Sequence, residues 1–63
     1  MIKRCDIFKH ERIGGSHFVE SAWNLEVALM RMAKLSSANM GNWYFAVDFK
    51  TQNVVANNRP GTK

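Results

Sequence analysis

The stretch from Trp43 to Lys50 constrains the fold more than any other part of the chain, because large apolar residues alternate in it with smaller or polar ones. A period of two is typical of a β-strand that buries one face. The two sides of this strand would be Trp43, Phe45, Val47 and Phe49, and Tyr44, Ala46, Asp48 and Lys50. The larger apolar set predicts the core side, so we expect Tyr44 on the side that faces away from the core.

The rest of the chain predicts three more strands and one helix. Residues 2–10 and 17–20 predict two strands, joined by a turn in which Gly14 and Gly15 supply positive φ values. Apolar residues then recur at helical spacing, which predicts a helix capped by Ser21 or Asn24, with a core-facing stripe of Leu25, Ala28, Leu29, Met32 and Leu35. Residues 36–42 are expected to end this helix. Residues 50–53 predict a turn, followed by a last strand at 54–56.

This order predicts a small α+β fold, in which a four-stranded, mostly antiparallel sheet (strand-strand-helix-strand-strand) carries one helix on one face. We expect a single domain over residues 1–57 and a flexible C-terminal tail over 58–63, where Pro60 and Gly61 end regular structure. One helix covers only one face of such a sheet. The uncovered face, or a strand edge, is therefore the expected place for a partner.

The amino-acid composition limits the kinds of protein that this chain can be. Cys5 is the single cysteine, so no disulfide framework is available, and a free thiol favours a reducing compartment such as the cytoplasm. The N-terminus has no apolar run typical of a signal peptide, and no segment has the length of a membrane span. The formal net charge of +4 is spread along the chain, so it permits an acidic partner without requiring one.

The residues that could carry chemistry do not form a known pattern. Cys5, His10 and His17 have spacings that match no zinc motif, and both histidines flank a glycine turn. A Cys/His nucleophile would need a pocket that a single-layer sheet hardly provides. Gly14 and Gly15 lack the lysine and serine or threonine of a phosphate-binding loop. We therefore predict no enzyme activity, no metal, no cofactor and no small-molecule substrate.

The leading functional hypothesis is a non-enzymatic protein–protein interaction module, acting as an accessory or inhibitory modulator of a larger cytoplasmic complex. The partner would be another protein or a second copy of the chain. An exposed aromatic on the open sheet face and a mixed apolar and basic patch on the back of the helix predict the contact residues. These are Tyr44, Lys50, Met30, Arg31 and Lys34.

The alternative hypothesis is a small basic nucleic-acid-binding protein that uses the open sheet face. Small sheets present aromatic side chains for base stacking, with cations that follow the phosphates. The residues that would do so are Lys3, Arg4, Tyr44, Lys50 and Arg59. Steep weakening of binding with salt would distinguish this hypothesis from the first one.

Overall fold

The computed structural model describes residues 4–11, 13–38 and 42–58. Its elements, in chain order, are β1 (Cys5–Glu11), β2 (Gly15–Ala22), α1 (Leu25–Ala38), β3 (Trp43–Asp48) and β4 (Val54–Asn57). The four strands form one antiparallel sheet in the order β2-β1-β3-β4, and α1 packs on one of its faces. The predicted α+β fold class is confirmed.

The first hairpin turns at the glycine pair, as predicted. Gly14 and Gly15 have φ values of 106° and 81°, which a residue with a Cβ rarely adopts. The register of the hairpin shifts between Ile7 and Phe8, because Ile7 pairs with Glu20 whereas Phe8 pairs with Phe18. The extra residue in β2 is a β-bulge, and beyond it Phe8 and Phe18 lie directly opposite each other.

Helix α1 begins after Asn24, whose side-chain Oδ1 accepts a hydrogen bond of 2.9 Å from the backbone N–H of Val27. This is the N-cap geometry, and Ser21, the other predicted cap, lies in β2 instead. The helix ends at Ala38, within the segment 36–42 that was expected to end it. Leu35 packs against the core and keeps the last turn on the sheet.

The core lies between α1 and the sheet and contains many small side chains. Its buried members are Cys5, Ile7, Ala22, Ala28, Met32, Tyr44 and Ala46. Small residues at facing positions let the helix lie close to the sheet. The predicted helical stripe is confirmed for Ala28 and Met32, which are buried, whereas Leu29 is 46% exposed and lies at the margin.

The predicted orientation of β3 is wrong. Tyr44 is only 2% exposed and Ala46 is fully buried beneath the helix, whereas Trp43 and Phe45 lie on the uncovered face. The neighbouring strand explains this, because β1 buries Cys5 and thereby turns Asp6 away from the core. Of the other residues expected in the core, Val47 is buried but is not a member of the core cluster, and Phe49 is exposed.

Asn58, the residue after β4, forms hydrogen bonds to both the sheet and the helix. Its Oδ1 accepts a 2.7 Å hydrogen bond from the Tyr44 N–H, and its Nδ2 donates a 3.3 Å bond to the Met32 carbonyl. The backbone N–H of Asn58 also donates to the Tyr44 carbonyl. Asn58 was predicted to begin the flexible tail, but it links the sheet to the helix. The rest of that tail, 59–63, is outside the described residues.

Candidate functional site

The face of the sheet that α1 does not cover carries five ring side chains on three adjacent strands. We call this surface the aromatic face, and its residues are Phe8, His10, Phe18, Trp43 and Phe45. Phe18 and Phe45 flank Phe8 from β2 and β3, and Trp43 lies opposite His10. Residues on one side of a strand recur every second position, so the rings of each strand project from the same face.

The rings of the aromatic face pack against each other across the strands. Phe8 and Phe45 are stacked, with centroids 5.4 Å apart and planes at 8°. Phe18 meets Phe8 edge-on, with centroids 5.8 Å apart and planes at 78°. At such separations neighbouring parallel rings turn their flat faces toward one another. The stack therefore presents ring edges outward, and each pair adds about 0.5–1.5 kcal/mol beyond its burial.

The second ring group extends the aromatic face toward the first hairpin turn. The centroids of His10 and Trp43 are 4.7 Å apart with planes at 31°, and Trp43 and Phe45 are 5.7 Å apart. The His10 Nδ1 lies 3.3 Å from the Ser16 Oγ, which fixes the plane of the imidazole. The five rings therefore form one continuous surface rather than separate exposed side chains.

A polar cluster borders the opposite end of the aromatic face. The Arg4 Nε lies 3.3 Å from the Asp6 Oδ1, and the Arg4 guanidinium also donates to the Ser21 hydroxyl. The Ser21 hydroxyl in turn donates a 2.8 Å bond to Asp6. The same guanidinium lies 3.9 Å above the centre of the Phe49 ring, a cation–π contact. Arg4 and Asp6 thus balance each other's charge on this face.

The aromatic face is accessible. Phe18 is 57% exposed, and Phe8, Trp43 and Phe45 are partly exposed. No helix or strand among residues 4–11, 13–38 and 42–58 packs on it. Large clustered aromatic side chains are the residue type that most often dominates binding energy in protein interfaces. An apolar surface of this kind on a small domain is typical of a binding site.

The structure does not bring the five predicted contact residues together. Tyr44 is buried, so its predicted role as an exposed contact is wrong. Met30, Arg31 and Lys34 do lie together, in a shallow cleft on the outer side of α1. Lys50 lies in the β3–β4 turn, where its N–H donates to Asp48. Arg31 forms an ion pair of 2.9 Å with Glu20 on β2, and this pair ties the helix to the sheet.

The residues predicted to bind nucleic acid do not form one described surface either. Arg4 borders the aromatic face, but its charge is engaged by Asp6 and Phe49. Tyr44 is buried and offers no ring to a base. Lys3 and Arg59 are outside the described residues. Lys50 is exposed in its turn.

The groups considered for catalysis or metal binding are distributed over different parts of the fold. Cys5 is buried under α1, His10 lies on the aromatic face, and His17 pairs with Glu11 at 3.4 Å. Within the described ranges, no three His, Cys, Asp or Glu side chains are placed to hold a metal ion. Burial, with smaller contributions from Asp48 and Asp6, raises the pKa of the Cys5 thiol. A thiol kept protonated in this way is a poor nucleophile.

Four residues of the aromatic face were not predicted as site residues from the sequence: Phe8, Phe18, Trp43 and Phe45. One signal could have found them. Asp6 and Phe8 share a side of β1, and a carboxylate is rarely buried without a partner, so this side should face away from the core. Pairing β1 with β3 in an antiparallel register would then have placed Phe45 beside Phe8.

No helix in the described part of the chain has the length and apolar character needed to cross a membrane. Comparisons of the chain with protein families, with curated proteins and with solved structures found no match.

Proposed function

We propose that this protein is a non-enzymatic interaction module that binds another protein through its aromatic face. The observation that carries the proposal is the continuous array of Phe18, Phe8 and Phe45, packed ring to ring across three strands on a face without a covering layer. Pre-packed aromatic rings lose little side-chain entropy on binding, and their burial supplies the apolar contact that a partner surface needs.

The arrangement of the rings favours a protein over a nucleic acid as the partner. Base stacking needs ring faces that point outward, whereas Phe8 and Phe45 turn their faces toward each other at 5.4 Å. Phosphate binding needs unpaired cations, whereas Arg4 on this face is balanced by Asp6. Ring edges and a neutral border suit an apolar protein surface.

Phe18 is the residue with which to test the proposal, because its high exposure means that replacing it removes contact area with little loss of core packing. The experiment is affinity capture from a cytoplasmic lysate by wild type, by Phe18→Ser and by Ile13→Ser, an equally apolar exposed residue in the β1–β2 turn. We expect a protein retained by wild type and Ile13→Ser and lost with Phe18→Ser. Equal retention by all three would refute a role for the aromatic face.

Nuclease and salt give the second arm of this experiment. A protein partner should stay bound after nuclease treatment and in moderate salt, because apolar burial is insensitive to screening. Capture that disappears with nuclease, or that weakens steeply with salt, would contradict a protein partner.

Nucleic acid is the second candidate, supported by the net charge of +4 and by the Arg4 guanidinium stacked on Phe49 at the border of the face. In that case Lys50 and Arg4 would contact phosphates, and the His10–Trp43 end would contact bases. Loss of salt-sensitive binding in Arg4→Ala, without loss in Ile13→Ser, would support this candidate. The buried free thiol of Cys5 agrees with a role in a reducing compartment such as the cytoplasm.

A further inference from the structure

The outer side of α1 carries exposed apolar residues that the aromatic face does not account for. Met30 is 68% exposed at the middle of the helix. Residues 27, 30, 34 and 37 follow one another at intervals of three and four, the spacing typical of a helix–helix seam. Met30 lies opposite the buried residues Ala28 and Met32, so it points away from the sheet, whereas Val27 lies at the margin of the seam and also packs against the core.

We propose that this side of α1 is the interface of a symmetric homodimer, in which two copies of the helix pack antiparallel with Met30 on the two-fold axis. In a two-fold interface the same patch must complement itself. When two antiparallel helices cross at residue 30, each position before Met30 faces the position equally far after Met30 in the second copy. The sequence of the helix can therefore be tested for self-complementarity.

Charge is self-complementary in this arrangement. Glu26 lies four positions before Met30 and Lys34 lies four positions after it. Each Glu26 would face Lys34 of the second copy, which gives two ion pairs related by symmetry. Within the described part of the chain, neither residue forms an ion pair of its own. Arg31, the other cation beside Met30, is already paired with Glu20.

Size is self-complementary as well. Val27 and Ala33 lie three positions on either side of Met30, so a larger side chain faces a smaller one. Val27, Met30, Ala33 and Lys34 also line the shallow cleft on this side of the helix, which can receive the Met30 side chain of the second copy. Small residues facing large ones let two helices approach closely.

This interface is on the opposite layer from the aromatic face, so it does not rest on the proposed function. The helix is 14 residues long, or about 21 Å, and a seam of this length is small for an interface. We therefore expect a concentration-dependent dimer, in which the aromatic faces of both copies stay open. Such a dimer would present two equivalent binding surfaces.

Charge reversal tests the register. The oligomeric state of wild type, Glu26→Lys, Lys34→Glu and an equimolar mixture of these two variants is measured by sedimentation equilibrium. Each single variant places like charges opposite each other twice, so its dissociation constant should rise by about tenfold or more. In the mixture both contacts again join opposite charges, so a heterodimer should form as tightly as wild type. Lys50→Glu, in the β3–β4 turn, is the matched control and should dimerise like wild type.

A cysteine on the axis tests the symmetry independently. Met30→Cys should form a disulfide-linked dimer under mild oxidation, whereas Ala33→Cys, which would face Val27 of the second copy, should cross-link much more slowly. The native Cys5 is buried and should not interfere. Circular dichroism confirms that each variant is folded. A monomeric wild type at millimolar concentration, or a mixture that dimerises no better than its components, would overturn the proposal.

Discussion

Phe8 and Phe45 lie directly opposite each other on the two central strands, and their rings stack with centroids 5.4 Å apart on the face that the helix leaves open. This pair decides which side of the sheet is the core and which side is available to a partner. Where Phe45 points outward, Tyr44 and Ala46 must point inward to the helix. The stability of the protein and its proposed binding to a partner therefore depend on alternate residues of the same strand.

Truncations of Tyr44 and Phe45 should have very different effects on stability. Tyr44→Ala removes a fully buried ring and should cost about 3–5 kcal/mol. The free energy of unfolding of a chain this short is roughly 3–9 kcal/mol, so this variant should lose a large part of its stability. Phe45→Ala loses ring contacts on a partly exposed face and should stay folded. Urea denaturation followed by circular dichroism distinguishes them, and an unfolded Phe45→Ala beside a stable Tyr44→Ala would reverse the assignment of the two faces.

Asn58 should contribute more to stability than a residue near a chain end usually does. Asn58→Ala leaves the backbone N–H of Tyr44 without its side-chain acceptor and should cost about 1–3 kcal/mol. Asn58→Asp keeps an oxygen for that N–H but sets a carboxylate oxygen against the Met32 carbonyl, so its loss of stability reports the hydrogen bond to the helix. The urea midpoints of the two variants measure the difference. Equal midpoints for both variants and wild type would show that the hydrogen bonds of Asn58 between the sheet and the helix do not stabilise the fold.

Asn24 should be the cap of α1. Asn24→Ala removes the acceptor for the Val27 N–H and should cost about 0.5–2 kcal/mol, whereas Asn24→Asp retains an acceptor and should be nearly neutral. Thermal unfolding of both variants checks this expectation. If Asn24→Ala unfolded at the same temperature as wild type, the first turn of the helix would be stabilised by other contacts.

Cys5 should make the protein less stable in alkaline solution. Burial and the nearby Asp48 and Asp6 raise the pKa of this thiol from its ordinary value of 9.0, so the folded state holds the proton more tightly than the unfolded state. Its contribution to stability is complete below pH 9.0 and is lost as the pH rises from there through the raised pKa. Unfolding midpoints of wild type and Cys5→Ala between pH 8 and about 11 measure this loss. An equal alkaline decline in both proteins would contradict it.

The strand order along the chain and the helix could be predicted because local patterns specify them. The glycine pair, the alternation in β3 and the apolar spacing of α1 each act over a few residues. The orientation of β3 could not be predicted from β3 itself, because both of its sides carry apolar residues. The side that the helix buries carries Tyr44 and Ala46, which pack in one cluster with Ala28 of α1, and this packing exists only once the layers are assembled.

The side of β3 that is open to a partner was mispredicted for the same reason. Exchanging the two sides of β3 moved Tyr44 onto the surface and hid Phe45 in the core. The residue that resolves the orientation, Asp6, lies about 40 positions away along the chain and acts only once β1 pairs with β3. The bulge that sets Phe18 opposite Phe8 also depends on strand pairing, which no local pattern of β2 indicates.

Photo-cross-linking from the aromatic face tests most directly whether a protein binds there. A benzophenone amino acid replaces Phe18 in one variant and Ile13 in a control variant, and both are irradiated in a cytoplasmic lysate after nuclease treatment. We expect a discrete protein adduct from position 18 that is absent from position 13 and that wild-type protein competes away. The absence of a specific adduct from position 18, or adducts that form only when nucleic acid is intact, would contradict a protein partner on this face.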